Sequence, residues 1–537
     1  MEAVVVEEEN DEMTKGQEES DGPVVPEGRR KAAPTAHPGR GGEGITASEV
    51  MEQLEMFRGT AGSPRGTGRE EGASRIAPGA RKAPKPRNRK GPAPSAMTME
   101  EIADEALLRA AFAKVASNKG APGPDRQNIA EVREHLDELL PSLTAGLLDG
   151  SYRPGAIRRV WIPKPGGDQR GLGIPNVVDR LVQQAVHLVL SPHFEPKFHD
   201  GSHGFRPGRS CHTAIAAAKE HMQQGCSWVV DIDLEKFFDR VNHQRLLARL
   251  EHMGVQDRRV IRLIRRMLEA EVVMPDGVVV STEEGTPQGG PLSPLLSNVV
   301  LDELDRELER RGHRFVRYAD DCNVYVSSPR AGERVMASLT RFIERRLRLK
   351  VNQGKSAVAE PGDRHFVGFR LARSRKGDIQ VRLSKRSKKR IRRRLVELSR
   401  RNWGGSLASC IERINVYLRG WIAFFHIVEQ AELYLLRVID GHLRRRLRAL
   451  VLRQKKRRRH IVYFLRRHGV SDRKAKMTVY GRQRGLWALS KTNVVHRVMS
   501  NDWFDSQKLS RLEALWREST SKTPLIIAPP QLRLEVG

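Results

Sequence analysis

Two short acidic stretches hold the residues of this chain whose types and spacing could do chemistry. Tyr318-Ala319-Asp320-Asp321 lies between Phe315-Val316-Arg317 and Cys322-Asn323-Val324-Tyr325-Val326. Both flanks are apolar and β-prone, so the segment reads as a hairpin with two carboxylates at its tip. Side chains alternate faces along a strand, so both acids can serve one site only where the chain turns. A half-buried acid pair is costly without a positive partner. A hard divalent cation such as Mg²⁺, which prefers oxygen ligands, is the natural occupant. Ser227-Trp228-Val229-Val230-Asp231-Ile232-Asp233 begins as a second strand, with Asp231 and Asp233 on one face. Phosphoryl transfer by two metals uses a carboxylate from such a strand to hold the ions about 3.5–4 Å apart. On spacing alone, either Asp231 or Asp233 serves.

Two loops supply what a nucleotide would need. Gly285-Thr286-Pro287-Gln288-Gly289-Gly290-Pro291-Leu292-Ser293-Pro294 has too much Gly and Pro for a helix or central strand. Its backbone can approach a ligand closely, and Gln288 is its one long hydrogen-bonding side chain. Residues 161–175 form a turn flanked by cations, among them Lys164 and Arg170, which could clamp a triphosphate.

Together these stretches resemble bacterial reverse transcriptases of the group II intron-encoded, maturase type. Tyr-x-Asp-Asp, Asp-x₄-Phe on the partner strand, and Thr-Pro-Gln-Gly followed by Leu-Ser-Pro carry the likeness. Family-like stretches also begin at Asn118, Ser202, Leu349 and Phe366, in matching order over residues 97–505. The resemblance implies an α+β right-hand polymerase, with fingers and a palm of antiparallel sheet backed by helices, followed by an α-helical thumb or maturase domain. It selects Asp233 as the acid bridging two Mg²⁺ ions, with Asp320 as second ligand and Asp321 in support. Lys164 and Arg170 would hold the triphosphate of a dNTP, and Phe238 would exclude a 2′-hydroxyl. Gln288 would brace the template or the incoming base. The partners implied are group II intron RNA and a DNA primer or target. Two departures stand out. Arg126 follows Pro124-Asp125 where relatives have Gly, so a different turn is expected there. Asn352-Gln353-Gly354-Lys355 replaces Asn-x-Glu-Lys, which puts a local ion pair in question.

Composition fits a polyanion partner. The 537 residues hold 95 Lys and Arg against 65 Asp and Glu, a formal charge of +30. Each phosphate that such a surface neutralises releases counterions. No apolar run reaches the ~18 residues of a membrane span, and the N-terminus is acidic where a secretory signal is basic. Four scattered cysteines argue against a disulfide framework or a zinc site. A bacterial cytoplasmic location, with the nucleoid or RNA, is the expectation.

Along the chain, residues 1–96 read as a disordered extension, too poor in apolar surface to offset its ordering entropy, with a short amphipathic helix at 48–57. Residues 97–372 read as fingers and palm, with a second palm hairpin at 272–280. Residues 373–465 read as the thumb and maturase region. There Ile391, Leu395 and Leu398 form a core stripe, and Lys388, Lys389, Arg392 and Arg393 face RNA, as do Arg444, Arg445 and Arg446 further on. A run so uniform in sign repels itself without an anion. Trp421 reads as core. Residues 466–537 read as a basic nucleic-acid-binding tail without an endonuclease domain. The leading expectation is an RNA-directed DNA polymerase that also promotes intron splicing and mobility. The alternatives are a reverse transcriptase domesticated for antiviral defence or repair, and a non-catalytic RNA-binding splicing factor. Against the last, Asp233, Asp320 and Asp321 are all intact.

Overall fold

The computed structural model describes residues 97–163, 169–481 and 485–522. The expectations for residues 1–96, and the role given to Lys164, lie outside the described residues. Alternating Val and Ile drive the central sheet. Strands β3 (Trp228–Ile232), β6 (Arg314–Tyr318), β7 (Asp321–Val326) and β8 (Ala357–Ala359) form one antiparallel sheet in the order β6-β7-β3-β8. Its register pairs Val230 with Val324 and Ile232 with Cys322. One face, with Val230, Ile232, Cys322, Val324 and Phe315, packs on helices Val177–Phe194 (α1), His243–His252 (α2), Ser293–Arg310 (α3) and Pro329–Phe342 (α4). Each such side chain taken fully out of water contributes about 1.5–3 kcal/mol.

The other face sits in a second core. Val229, Val316, Tyr318 and Tyr325 pack with helix Cys211–Gln223 and with the C-terminal helices Lys385–Leu398 (α5), Leu407–Phe425 (α6) and Leu433–Gln454 (α7). A hairpin of β9 (Phe369–Arg373) and β10 (Ile379–Leu383) leads into α5, whose Ile391, Leu395 and Leu398 are buried as their spacing predicts. Trp421 is core, its ring 4.6 Å from Phe425. Among the described residues, no helix is long and apolar enough to cross a membrane.

The hairpin at 272–280 forms as expected but joins a different sheet. β4 (Val272–Val273) and β5 (Val279–Val280) turn through Gly277, at φ +89°. β4 runs parallel to β1 (Ile157–Pro163), which pairs antiparallel with β2 (Gln169–Ile174), giving the order β2-β1-β4-β5. Ile157, Ala270 and Val272 make a small core of their own. Two paired residues per strand cannot stand alone, and β1 offers the nearest unpaired edge. The hairpin therefore extends the β1–β2 sheet rather than the central one.

Arg126 answers the question its sequence raised. It sits at φ +63°, and its N–H donates to the Gly123 carbonyl at 3.3 Å. The backbone is the one a glycine would adopt, so the turn is kept and the arginine bears the strain. A non-glycine residue there costs about 1–2 kcal/mol, and glycine gives back about 0.5–1 kcal/mol in unfolded-state entropy. Arg126→Gly should therefore stabilise the fold by about 0.5–1 kcal/mol, read as a higher urea midpoint at unchanged slope. A lower midpoint contradicts this account of the turn.

Candidate active site

Strand alternation turns Arg317 into the core beneath the acidic turn, where it is 0% exposed. All five of its N–H donors are used. Nε and Nη2 grip both oxygens of Asp305, on α3, at 2.7 and 2.5 Å. Nη1 donates to Asn298 Oδ1 at 3.1 Å and to the Ala319 carbonyl at 2.9 Å, and Nη2 also donates to Ser202 Oγ at 2.8 Å. Burial disfavours the guanidinium charge, but Asp305 outweighs it and holds the pKa above its ordinary value. Ala319 takes φ +57°, which the bond to its carbonyl helps to hold. The family-like Ser202 stretch closes over the same turn. His203 N–H donates to the Arg317 carbonyl at 2.8 Å, and a Cβ on Gly204 would fall 2.2 Å from the Ala319 nitrogen. Burial and the nearby Arg209, Arg206 and Arg317 push His203 down to about 3, so it is neutral at physiological pH.

The turn presents Asp320 half-buried and Asp321 exposed, with Tyr318 and Asp321 paired across the hairpin. Because Ile232 opposes Cys322, the next positions along, Asp233 and Asp321, lie across from one another at the strand ends. Asp233 is held by its backbone: its N–H donates to Ser356 Oγ at 3.0 Å, and its carbonyl accepts from Asn352 N–H at 2.8 Å. Its side chain keeps 32% of its area exposed. Asp231 differs. Arg364 reaches its Oδ2 from Nη2 at 2.6 Å and from Nε at 2.8 Å. Burial pushes the Asp231 carboxyl up, with Arg364 opposing. The two acids that spacing left equivalent are thus distinct: Asp231 is spent on an ion pair, and Asp233 stands toward the turn.

Sequence reasoning missed part of this site. Lys355 Nζ comes within 3.9 Å of Asp233 Oδ2, and Arg364 Nη2 fixes the Lys355 carbonyl at 2.5 Å. The signal was the Lys of Asn352-Gln353-Gly354-Lys355, at the position where the sequence put a local ion pair in question. Among the described residues, no three His, Cys, Asp or Glu side chains already converge as a metal cage. The donor set nonetheless suits Mg²⁺, which commonly takes one or two carboxylates and fills its octahedron with water and substrate phosphates.

Main-chain bonds join the residues that the sequence expects at a nucleotide. The half-buried Phe238 ring packs edge-on to the buried Phe237 at 5.1 Å, and its carbonyl accepts from Thr286 N–H at 2.6 Å. Gly285, at φ +96°, donates to the Val241 carbonyl at 2.8 Å, and a Cβ there would meet the Phe238 oxygen at 2.9 Å. Gln288 is half-buried, and its carbonyl accepts from Gly173 N–H of β2 at 2.7 Å. Arg170 is half-buried on that same strand, opposite Ile162.

The basic residues divide. Lys389 and Arg393 are exposed and Arg392 half-buried on α5, whereas Lys388 Nζ lies 3.3 Å from the buried Glu432. Arg444 and Arg445 are half-buried on α7, the Arg445 guanidinium 3.9 Å from the Trp487 ring centre. Arg446 must be withdrawn from the RNA-facing set. It is buried, with Nε donating to Ser399 Oγ at 2.7 Å and Nη2 to the Val396 and Ser399 carbonyls at 3.1 Å. It closes the C-terminal end of α5, where the helix dipole favours a cation.

The division between Asp231 and Asp233 is measurable. Asp231→Asn weakens the charge-assisted grip on Arg364 and should cost about 1–3 kcal/mol of stability. Asp233→Asn should cost less, since its carboxylate meets Lys355 only at 3.9 Å and keeps 32% of its area exposed. Urea unfolding of both variants checks this, and a larger loss for Asp233→Asn contradicts it.

Comparison with known proteins bears on this geometry. Residues 162–371 match the family described as "Reverse transcriptase (RNA-dependent DNA polymerase)", and residues 388–468 match "Group II intron, maturase-specific domain". The chain is 34% identical to "Protein YkfC" of Escherichia coli over 309 residues, covering 49% of this chain and 80% of that protein. It is 29% identical to "Group II intron-encoded protein LtrA" of Lactococcus lactis, covering 45% of this chain and 51% of that protein, so it spans about half of LtrA's length. The "Putative COX1/OXI3 intron 2 protein" of Saccharomyces cerevisiae is 33% identical, over 39% of this chain and 24% of that protein. A sheet carrying Asp233 beside the Tyr-Ala-Asp-Asp turn, followed by a basic helical region, thus coincides with these matches: the chain belongs to the group II intron-encoded reverse transcriptase and maturase family.

Proposed function

We propose that the chain extends a primer 3′ end on an RNA template with deoxynucleotides, and binds group II intron RNA to promote splicing and mobility. We assign residues 97–372 to fingers and palm, 373–465 to the thumb and maturase region, and 466–537 to further nucleic-acid contact, in the bacterial cytoplasm. The observation that carries this reading is the placement of Asp233 across from the Asp320-Asp321 turn, while Asp231 is paired with Arg364. Asp233 and Asp320 would hold two Mg²⁺, with Asp321 in support. Bound there, the ions would activate the primer hydroxyl and neutralise the triphosphate.

The chain's own residues do the rest. Asp233 and Asp320 orient what they bind through backbones fixed by Ser356, Asn352 and Arg317. Lys355, beside Asp233, can meet the negative charge that builds on the leaving pyrophosphate. Phe238 would stand against the sugar and select deoxynucleotides, its backbone bonded to the loop that carries Gln288. Arg170 would meet the triphosphate from β2, together with Lys164. Among the RNA-facing candidates, Lys389, Arg392 and Arg393 on α5, with Arg444 and Arg445, supply the cations for intron RNA.

Asp320→Asn with Asp321→Asn tests the site. Both acids stand at the tip of the turn, so RNA affinity and the unfolding midpoint should stay near wild type. Primer extension on an RNA template should fall at least a thousandfold, about 4 kcal/mol of barrier. Extension within tenfold of wild type would remove these acids from the site.

A further inference from the structure

The palm carries a second cationic site at the end opposite the catalytic acids. A recess of about 820 Å³ opens between the turn after α3, the end of β7 and the first turns of α4. β7 starts at Asp321 and reaches the recess at Tyr325 and Val326, roughly 17 Å away at ~3.3 Å per residue. Arg311, Arg314 and Arg334 stand on its walls, and no Asp or Glu lines it. Two of these guanidinium groups are set in position. Arg311 donates to Ser338 Oγ at 2.7 Å and pairs with Glu307 at 2.6 Å, and Arg314 donates to the Gln224 carbonyl at 3.3 Å. Arg334 is exposed and, among the described residues, makes no hydrogen bond or ion pair. Val335, Tyr325 and Val326 give the recess an apolar floor.

We infer that this recess binds the backbone of a single-stranded RNA segment, apart from the cleft where the acids stand. Forked guanidinium groups fit phosphate oxygens two at a time. The volume lies within the ~300–1,000 Å³ of small-ligand pockets, room for one or two nucleotides. An apolar floor below the cations suits a sugar and base hanging from a held phosphate. The inference rests on the reading that RNA is this chain's partner, and it adds a contact on the palm made by residues outside α5 and α7.

The test uses the full chain and a single-stranded RNA oligonucleotide, titrated at several salt concentrations. Arg314→Gln with Arg334→Gln should weaken binding several-fold and flatten the dependence of log affinity on log salt by about 1.4, at ~0.7 per lost phosphate contact. Ser338→Glu leaves every arginine in place but sets a carboxylate against Arg311, and it should weaken binding as well. Primer extension at saturating primer and template should match wild type in both variants, because no catalytic residue has changed. Wild-type affinity and slope in the folded variants overturns the inference and leaves the polymerase reading intact. Weaker binding with an equal loss of extension at saturation also overturns it, since the damage would then lie in the cleft or the fold. Failure of the polymerase reading would appear instead as a wild-type chain that extends no primer.

Discussion

A guanidinium taken wholly out of water costs several kcal/mol unless every donor and the charge itself are met. Arg317 meets that condition with Asp305, Asn298, Ser202 and the Ala319 carbonyl, and in doing so ties three distant stretches to one turn. The helix Ser293–Arg310 supplies Asp305 and Asn298, and the loop before Cys211 supplies Ser202. The turn's own backbone supplies Ala319. A buried pair commonly adds little net stability over an apolar replacement. What it provides is position, because a left-handed alanine beside two carboxylates has no apolar contact that could fix it as tightly.

The acids are sorted by their partners. Asp231 meets Arg364 at 2.6 Å, whereas Asp233 meets Lys355 at 3.9 Å across from the acidic turn, so the two carboxylates are held differently. Arg364 also holds the Lys355 backbone, which couples the two pairs. Around this centre the chain's excess of +30 lies almost entirely in the helical region after residue 372. Binding to a polyanion should therefore be strongly salt-dependent, while chemistry at the acids should not.

Much of this was legible in the sequence. Alternating apolar residues marked β3 and the β6–β7 hairpin, and the family motifs placed the acids at their ends. Asp231 and Asp233 were indistinguishable by spacing because Arg364 is 133 residues away from Asp231. The 272–280 hairpin was visible, but its partner was not, since parallel pairing with β1 leaves no local pattern. Arg446 was avoidable: it lies three residues after Leu443 and four before Leu450, on the buried stripe of its helix. Arg317 also had a signal, a charge at an inward position of an apolar strand, though only the fold shows what meets it.

The central claim is that Arg317 positions the turn rather than merely stabilising the fold. Arg317→Met combined with Asp305→Leu removes the buried pair together, an exchange that commonly leaves stability nearly unchanged. The measurement is the single-turnover rate of primer extension at saturating template and nucleotide, alongside the urea midpoint. The account predicts a variant that still folds, with a midpoint lowered because Asn298, Ser202 and the Ala319 carbonyl lose their donor, and, in the folded variant, a rate lower by tenfold or more, about 1.4 kcal/mol of barrier. A well-folded double variant that extends primers at the wild-type rate would contradict it.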